Sequence, residues 1–179
     1  MKDAGGHGSE AHGAHASGVD QIGRPSPSSP QFGKSPIANA REAARYINES
    51  GFPAEIYRKA GSTVAAIYSN TDHKIYVNVS NRFWKDPVGS MVHNNATGHL
   101  SSDSPTHILD HEMAHAMYDA PNNFFGLEQG MARSQVSRYA AMNPKEFVSE
   151  VHAGMKAGKS YSLDVMRAFT RYAQPRGPS

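Results

Sequence analysis

Three histidines lie four residues apart in the segment THILDHEMAHAMYDA, which spans residues 106–120. Residues four apart share one face of an α-helix, so His111 and His115 can direct their imidazoles at a single ion. Glu112 follows the first of them, and its carboxylate can reach a water molecule on that ion. This HExxH spacing is typical of a catalytic zinc site in which the glutamate is the general base. The alternative is an ordinary helix with histidines on its surface.

His107 extends the row of histidines by one helical turn. Three histidines at this spacing span about 12 Å along a helix axis. That distance is too long for all three to bind one tetrahedral ion. We therefore predict that His107 is not a ligand, and that it either supports a ligand from outside or is exposed.

Composition restricts the kinds of site that the chain can build. The 179 residues include no cysteine, so disulfides, thiolate nucleophiles and cysteine zinc fingers are excluded, and any metal site must use His, Asp and Glu. The 18 basic and 16 acidic residues are scattered and nearly balance, which argues against a nucleic-acid partner. No apolar run approaches the roughly 20 residues that span a bilayer. The N-terminus lacks the apolar core of a Sec signal.

The chain divides into a tail and one domain. Residues 1–35 contain seven of the 16 glycines, the run RPSPSSP and no apolar period, which predicts a disordered tail or linker. Its histidines (His7, His12 and His15) are predicted to be solvated or to hold metal loosely. A single domain is predicted over 36–174, with a flexible C-terminus at 175–179.

Periodicity predicts an α+β fold with a small sheet. STVAAIYS and KIYVNVS, joined by the turn NTDH, predict a hairpin near residues 62–80. Residues 81–104 are predicted as turns and loops, with Phe83 and Trp84 as anchors. Four helices are predicted, starting at Pro36, Pro105, Pro144 and Leu163. They are predicted to end at Gly51, before Pro121, at Gly154 or Gly158, and at Tyr172.

A catalytic zinc site needs a third protein ligand and an open position for water. The segment SRYAAMNPKEFVSEVHAG offers Glu146 and Glu150, which share a helix face. Glu146 also fits a capping box, in which it would bond back to the cap residue Asn143. Asp119, one turn beyond His115, is a weaker third choice. The residues alone leave these choices open.

The segments HEMAH and SRYAAMNPKEFVSE together resemble the gluzincin metallopeptidases of the anthrax lethal factor type. They also resemble related domains of bacterial toxins, secreted effectors and phage-associated proteins. In that pattern HExxH is followed by a tyrosine-bearing element and then by a helix that reads Glu-Phe-x-x-Glu. The resemblance covers residues 106–158. Val148-Ser149 departs from it, because the pattern often has a larger aromatic residue and then alanine.

The resemblance implies a role for each matching residue. His111, His115 and Glu146 would hold Zn²⁺, with Glu112 as base. Tyr139 would donate its hydroxyl to the developing oxyanion, and Glu150 would orient a ligand from outside the metal's own shell. The resemblance also implies that the strand KIYVNVS, through Tyr76, Val77 and Asn78, pairs with an extended substrate. The alternative is an ordinary core strand.

The predicted function is a zinc-dependent endopeptidase acting on a protein or peptide. By resemblance it is a bacterial toxin or effector domain, secreted or delivered by a specialised secretion system, with a possible carrier or immunity protein as partner. Otherwise the chain would be a cytoplasmic enzyme. The alternatives are a zinc-dependent amidase acting on a non-protein substrate such as peptidoglycan, and a zincin-fold interaction module without catalysis.

Overall fold

A computed structural model describes residues 27–121, 126 and 128–177. Most of the predicted tail, including its three histidines, therefore lies outside the described residues. The end of that predicted tail is packed against the domain. The Phe32 ring lies 6.3 Å from the Trp84 ring, and the Gly33 backbone N–H donates to Asn39 Oδ1 at 2.7 Å.

The described residues form helices and a three-stranded sheet, which confirms the α+β class. The strands are β1 (Ala54–Tyr57), β2 (Ala66–Ser69) and β3 (Lys74–Asn78). The helices are α1 (Pro36–Glu49), α2 (Pro87–Ala96), α3 (His107–Met117), α4 (Glu128–Gln135), α5 (Pro144–Lys156) and α6 (Leu163–Tyr172), with a 3₁₀ helix at Arg82–Lys85.

The sheet order is β1-β3-β2, with β1 parallel and β2 antiparallel to β3. The predicted hairpin is confirmed as β2 and β3. The sequence did not predict β1, because its four residues show no alternation of buried and exposed side chains. As β3 is the central strand, both of its edges are already paired. The prediction that Tyr76, Val77 and Asn78 pair with an extended substrate is therefore wrong.

Two apolar clusters flank α3. One lies between α1, the sheet and α3, with Trp84, Ile47 and Leu109 fully buried within it. The other joins α4, α5 and α6 around Phe147 and Val165. Because α3 packs against both β2 and α5, side chains on its two sides meet residues that are far apart in sequence.

The segment predicted as turns and loops contains both the 3₁₀ helix and α2. Asp86 caps α2 by accepting a hydrogen bond from Gly89 N at 2.9 Å, and Pro87 follows at the first helical position. The predicted flexible end also has contacts with the domain. Pro175 pairs with Tyr118, and Arg176 N donates to Met117 O at 2.9 Å. Within the described ranges no helix has the length and apolar character needed to cross a bilayer.

Candidate metal centre

Helices α3 and α5 bring three candidate ligands together. His111 Nε2 lies 3.0 Å from Glu146 Oε2, and His115 Nε2 lies 3.3 Å from the same oxygen. The two histidines come from successive turns of α3, while the glutamate comes from the first turn of α5. These three side chains form one of the two groups able to hold a metal ion among the described residues.

The two distances to Glu146 Oε2 are close to those expected around a tetrahedral ion. With metal–ligand bonds of about 2.0–2.1 Å, two ligands of a tetrahedral zinc lie about 3.3 Å apart. Electrostatics also favours a cation here. Burial lowers the pKa of His111, but hydrogen bonds with Glu146 and Glu150 outweigh it and raise that pKa to about 10. The carboxylates around this imidazole therefore attract positive charge to the site.

The outer nitrogen of each histidine is held by a partner on α5. Glu150 Oε1 lies 3.1 Å from His111 Nδ1, and Ser149 Oγ lies 2.9 Å from His115 Nδ1. When each Nδ1 carries the hydrogen, each Nε2 presents a lone pair to the position beside Glu146. Such outer partners fix the ring orientation and the tautomer of a metal ligand. The sequence prediction missed Ser149 as a partner of His115.

The choices for the third ligand are separated in space. Asn143 Oδ1 accepts a hydrogen bond from Glu146 N at 2.9 Å, but the Glu146 carboxylate points to His111 and His115. Half of the capping box is thus present, and the carboxylate remains available to a metal. Glu150 lies on the far side of His111. Asp119 has a side chain that is 74% exposed, and it belongs to neither group.

Glu112 lies beside the candidate ligands and is held by the sheet. Its Oε2 accepts a hydrogen bond from Tyr68 N at 2.7 Å, so an edge strand fixes the carboxylate. Burial raises the pKa of Glu112, and the neighbouring His111 and His115 oppose that rise. A carboxylate with a raised pKa is better suited to accept a proton from water.

Tyr139 faces the same position from the loop before α5. Its ring lies 5.5 Å from the His111 ring and 5.5 Å from the His99 ring, so the two imidazoles flank it. Burial raises the pKa of Tyr139, and the charge of Glu146 adds to that rise. The phenol therefore keeps its proton at neutral pH and can donate a hydrogen bond.

His107 and Glu150 belong to a second group, which also includes His111. His107 is fully buried, with Nε2 at 2.8 Å from Glu150 Oε1 and Nδ1 at 2.8 Å from Ser102 Oγ. Burial raises the pKa of Glu150, but the charge and hydrogen bonds of His107 and His111 outweigh it and lower that pKa well below its usual range. His107 therefore contacts Glu150, the carboxylate bonded to His111 Nδ1. Of the two alternatives predicted for His107, exposure to solvent is excluded.

A cleft of about 770 Å³ opens onto the site. His111, Glu112 and Tyr139 line one part of it, and residues 63–66 before and within β2 line another. The edge of the sheet that borders the cleft is thus β2.

No protein-family model matches the chain, and comparisons with curated proteins and with solved structures give no match.

Proposed function

We propose that the protein is a zinc-dependent endopeptidase of the gluzincin type. The observation that carries this proposal is the convergence of His111 Nε2 and His115 Nε2 on one oxygen of Glu146, at 3.0 and 3.3 Å. Two imidazoles and one carboxylate form a His₂Glu set, which leaves the fourth position of a tetrahedral zinc open to water or substrate. A structural site would close that position with a fourth protein ligand.

Zinc bound by this set would supply a Lewis acid for the scissile carbonyl and for the attacking water. Glu112 takes the proton from that water and returns it to the leaving amine. Its hydrogen bond from Tyr68 N keeps the carboxylate at the edge of the cleft while both transfers occur. Tyr139 donates its hydroxyl hydrogen to the oxyanion of the tetrahedral intermediate, and such a donor typically stabilises the transition state by about 3 kcal/mol.

The substrate is proposed to lie along β2 as an additional strand. Ala65 O accepts a hydrogen bond from Asn78 N at 2.8 Å, so the backbone of Ala65 faces β3. In an antiparallel pair, alternate residues direct their N–H and C=O groups to opposite sides. The N–H and C=O groups of Ala66, which lines the cleft and is 5% exposed, therefore point away from β3, to the side on which an extended peptide would add. Tyr68 N, the next outward donor, is already bonded to Glu112.

The biological setting rests on the resemblance alone. The gluzincin pattern shared with toxin and effector domains supports a protein substrate outside the producing cell. It also supports a carrier or an immunity protein as a partner.

The proposed chemistry is tested by Glu112→Gln on the full chain. We expect the variant to bind zinc as tightly as the wild type while losing cleavage of a protein panel, since the amide cannot accept the proton. Glu55→Gln, an exposed change on β1, is the matched control and should keep both properties. Cleavage by Glu112→Gln at the wild-type rate would contradict the proposed mechanism. A wild-type protein that releases fragments from peptidoglycan and cleaves no protein would move the proposal to the amidase.

A further inference from the structure

Glu150 has an unusual environment for a glutamate on a helix. Its side chain is fully buried, and its carboxylate has four hydrogen-bond partners. Oε2 accepts from Ser101 N at 2.7 Å and from Ser137 Oγ at 2.9 Å. Oε1 is shared by His107 Nε2 at 2.8 Å and His111 Nδ1 at 3.1 Å. A buried carboxylate held by this many donors is fixed in position and orientation.

These partners assign the hydrogens around the site. An ionised carboxylate can only accept, so both imidazoles must donate to Oε1. His111 then carries a hydrogen on Nδ1, and a metal at Nε2 would replace the hydrogen that this nitrogen shares with Glu146 Oε2. His107 donates from Nε2, and its Nδ1 lies 2.8 Å from Ser102 Oγ. The chain from Ser102 through His107 and Glu150 to His111 is thus complete.

We propose that His107 is a positioning residue that acts through Glu150 on the metal ligand His111. This inference rests on the proposed metal site. Without His107, the donors left to the carboxylate would be Ser101 N and Ser137 Oγ on Oε2 and His111 alone on Oε1. His107 lies one turn earlier on the same helix. Its hydrogen bond keeps Oε1 within hydrogen-bond distance of His111 Nδ1. His107, the first histidine of THILDHEMAHAMYDA, is therefore part of the metal centre without being a ligand to the proposed ion.

The group of His107, His111 and Glu150 is better suited to this role than to a second ion. His107 and Glu150 are also held by groups outside it, His107 by Ser102 and Glu150 by Ser101 and Ser137. A second ion would also require His111 to release its Nδ1 hydrogen while its Nε2 binds the first ion, because one imidazole would then bridge two metals. In known metal sites, replacing a residue that hydrogen-bonds a ligand typically lowers metal affinity by roughly 10–100-fold.

The experiment compares zinc affinity in the full chain for the wild type, His107→Phe and His107→Gln. Affinity is measured by competition with a chromophoric chelator, and the Co²⁺ spectrum reports the geometry of the ligands. His107→Phe keeps a buried ring but cannot donate. Because His107 bonds Glu150 and not the ligand itself, we expect a loss of zinc affinity at the low end of that range, roughly 10-fold. In His107→Gln the amide N–H₂ takes the place of Nε2–H, and we expect most of the affinity to return. His152→Phe, the same change on α5 outside the network, should leave zinc affinity unaltered.

The outcomes separate this inference from the proposed function. A wild-type protein that binds no zinc would end the proposed function. Wild-type affinity in His107→Phe would overturn the positioning role while leaving the metal site intact. Equal losses in His107→Phe and His107→Gln would also overturn it, since packing rather than the donated hydrogen would then be responsible. Two zinc ions per wild-type chain, with one lost in His107→Phe, would make His107 a ligand instead.

Discussion

Replacing Glu150 by glutamine keeps the shape of the side chain but changes what it can accept. In the wild type each carboxylate oxygen accepts from two donors. The amide replaces one of these oxygens by an N–H₂ group, which cannot accept from them. On one side these donors are Ser101 N and Ser137 Oγ, and on the other they are His107 and His111. Ser101 N cannot become an acceptor. His111 can do so only by moving its hydrogen to Nε2, which removes the lone pair needed by a metal.

Either orientation of the amide therefore has a cost. A buried donor without an acceptor destabilises a fold by about 1–3 kcal/mol. We expect Glu150→Gln to lower the free energy of unfolding of the metal-free protein by about that amount. Because His111 also loses its fixed tautomer, zinc affinity should fall about 10–100-fold.

Urea unfolding of the metal-free protein and chelator competition for zinc measure the two effects separately. Glu55→Gln, which removes only an exposed ion pair with Lys74, is the control and should change stability by less than about 1 kcal/mol. Metal-free Glu150→Gln that is as stable as the wild type, or more stable, would refute the reasoning. It would mean that the burial of the charge costs as much as its four hydrogen bonds contribute.

Three further predictions concern Tyr139, His152 and Gly154. Tyr139→Phe should keep zinc at the wild-type level and lower kcat by about 10²–10³-fold, because one oxyanion donor is lost, and steady-state kinetics with zinc analysis would check this. Burial lowers the pKa of His152 from 6.5 to about 4, so its unfolded form binds the proton first as pH falls. Relative to His152→Phe, the wild type should keep its full stability above pH 6.5 and lose up to about 3 kcal/mol by pH 4. Urea titrations measure this, and parallel plots of the free energy of unfolding against pH for the two proteins would exclude it. In Gly154→Ala the new methyl would overlap the Tyr161 hydroxyl and lie 2.9 Å from Tyr161 Cζ. Thermal unfolding should show that the free energy of unfolding falls by about 1–3 kcal/mol. Adding Tyr161→Phe, which removes the hydroxyl, should restore part of that loss.

Local patterns in the sequence predicted the elements that carry the site. The four-residue spacing of His111 and His115 is a property of one helix, and so is the cap at Asn143 that starts α5. The hairpin followed in the same way from alternation on both sides of a short turn. The α2 signal was also present, since Asp86-Pro87 is a typical helix start. Gly89 and the polar residues around it made the segment resemble a loop.

Contacts between distant residues could not be predicted in this way. The bond between Ser149 and His115 joins positions 34 residues apart, and no local pattern shows where a serine hydroxyl points. The burial of His107 depends on Glu150, which α5 brings to α3. The central place of β3 depends on a parallel pairing with β1, a strand too short to show a period. Each of these features is set by packing between elements.

The central claim is most directly tested by the zinc content of the full chain, measured by elemental mass spectrometry. His7, His12 and His15 are changed to alanine in every sample, so that zinc bound by the N-terminal histidines is removed. The proposed site predicts one zinc per chain, lost or greatly weakened in Glu146→Ala and retained in Asp119→Ala. Absence of zinc from the parent protein, or its undiminished retention in Glu146→Ala, would contradict the proposed metal centre.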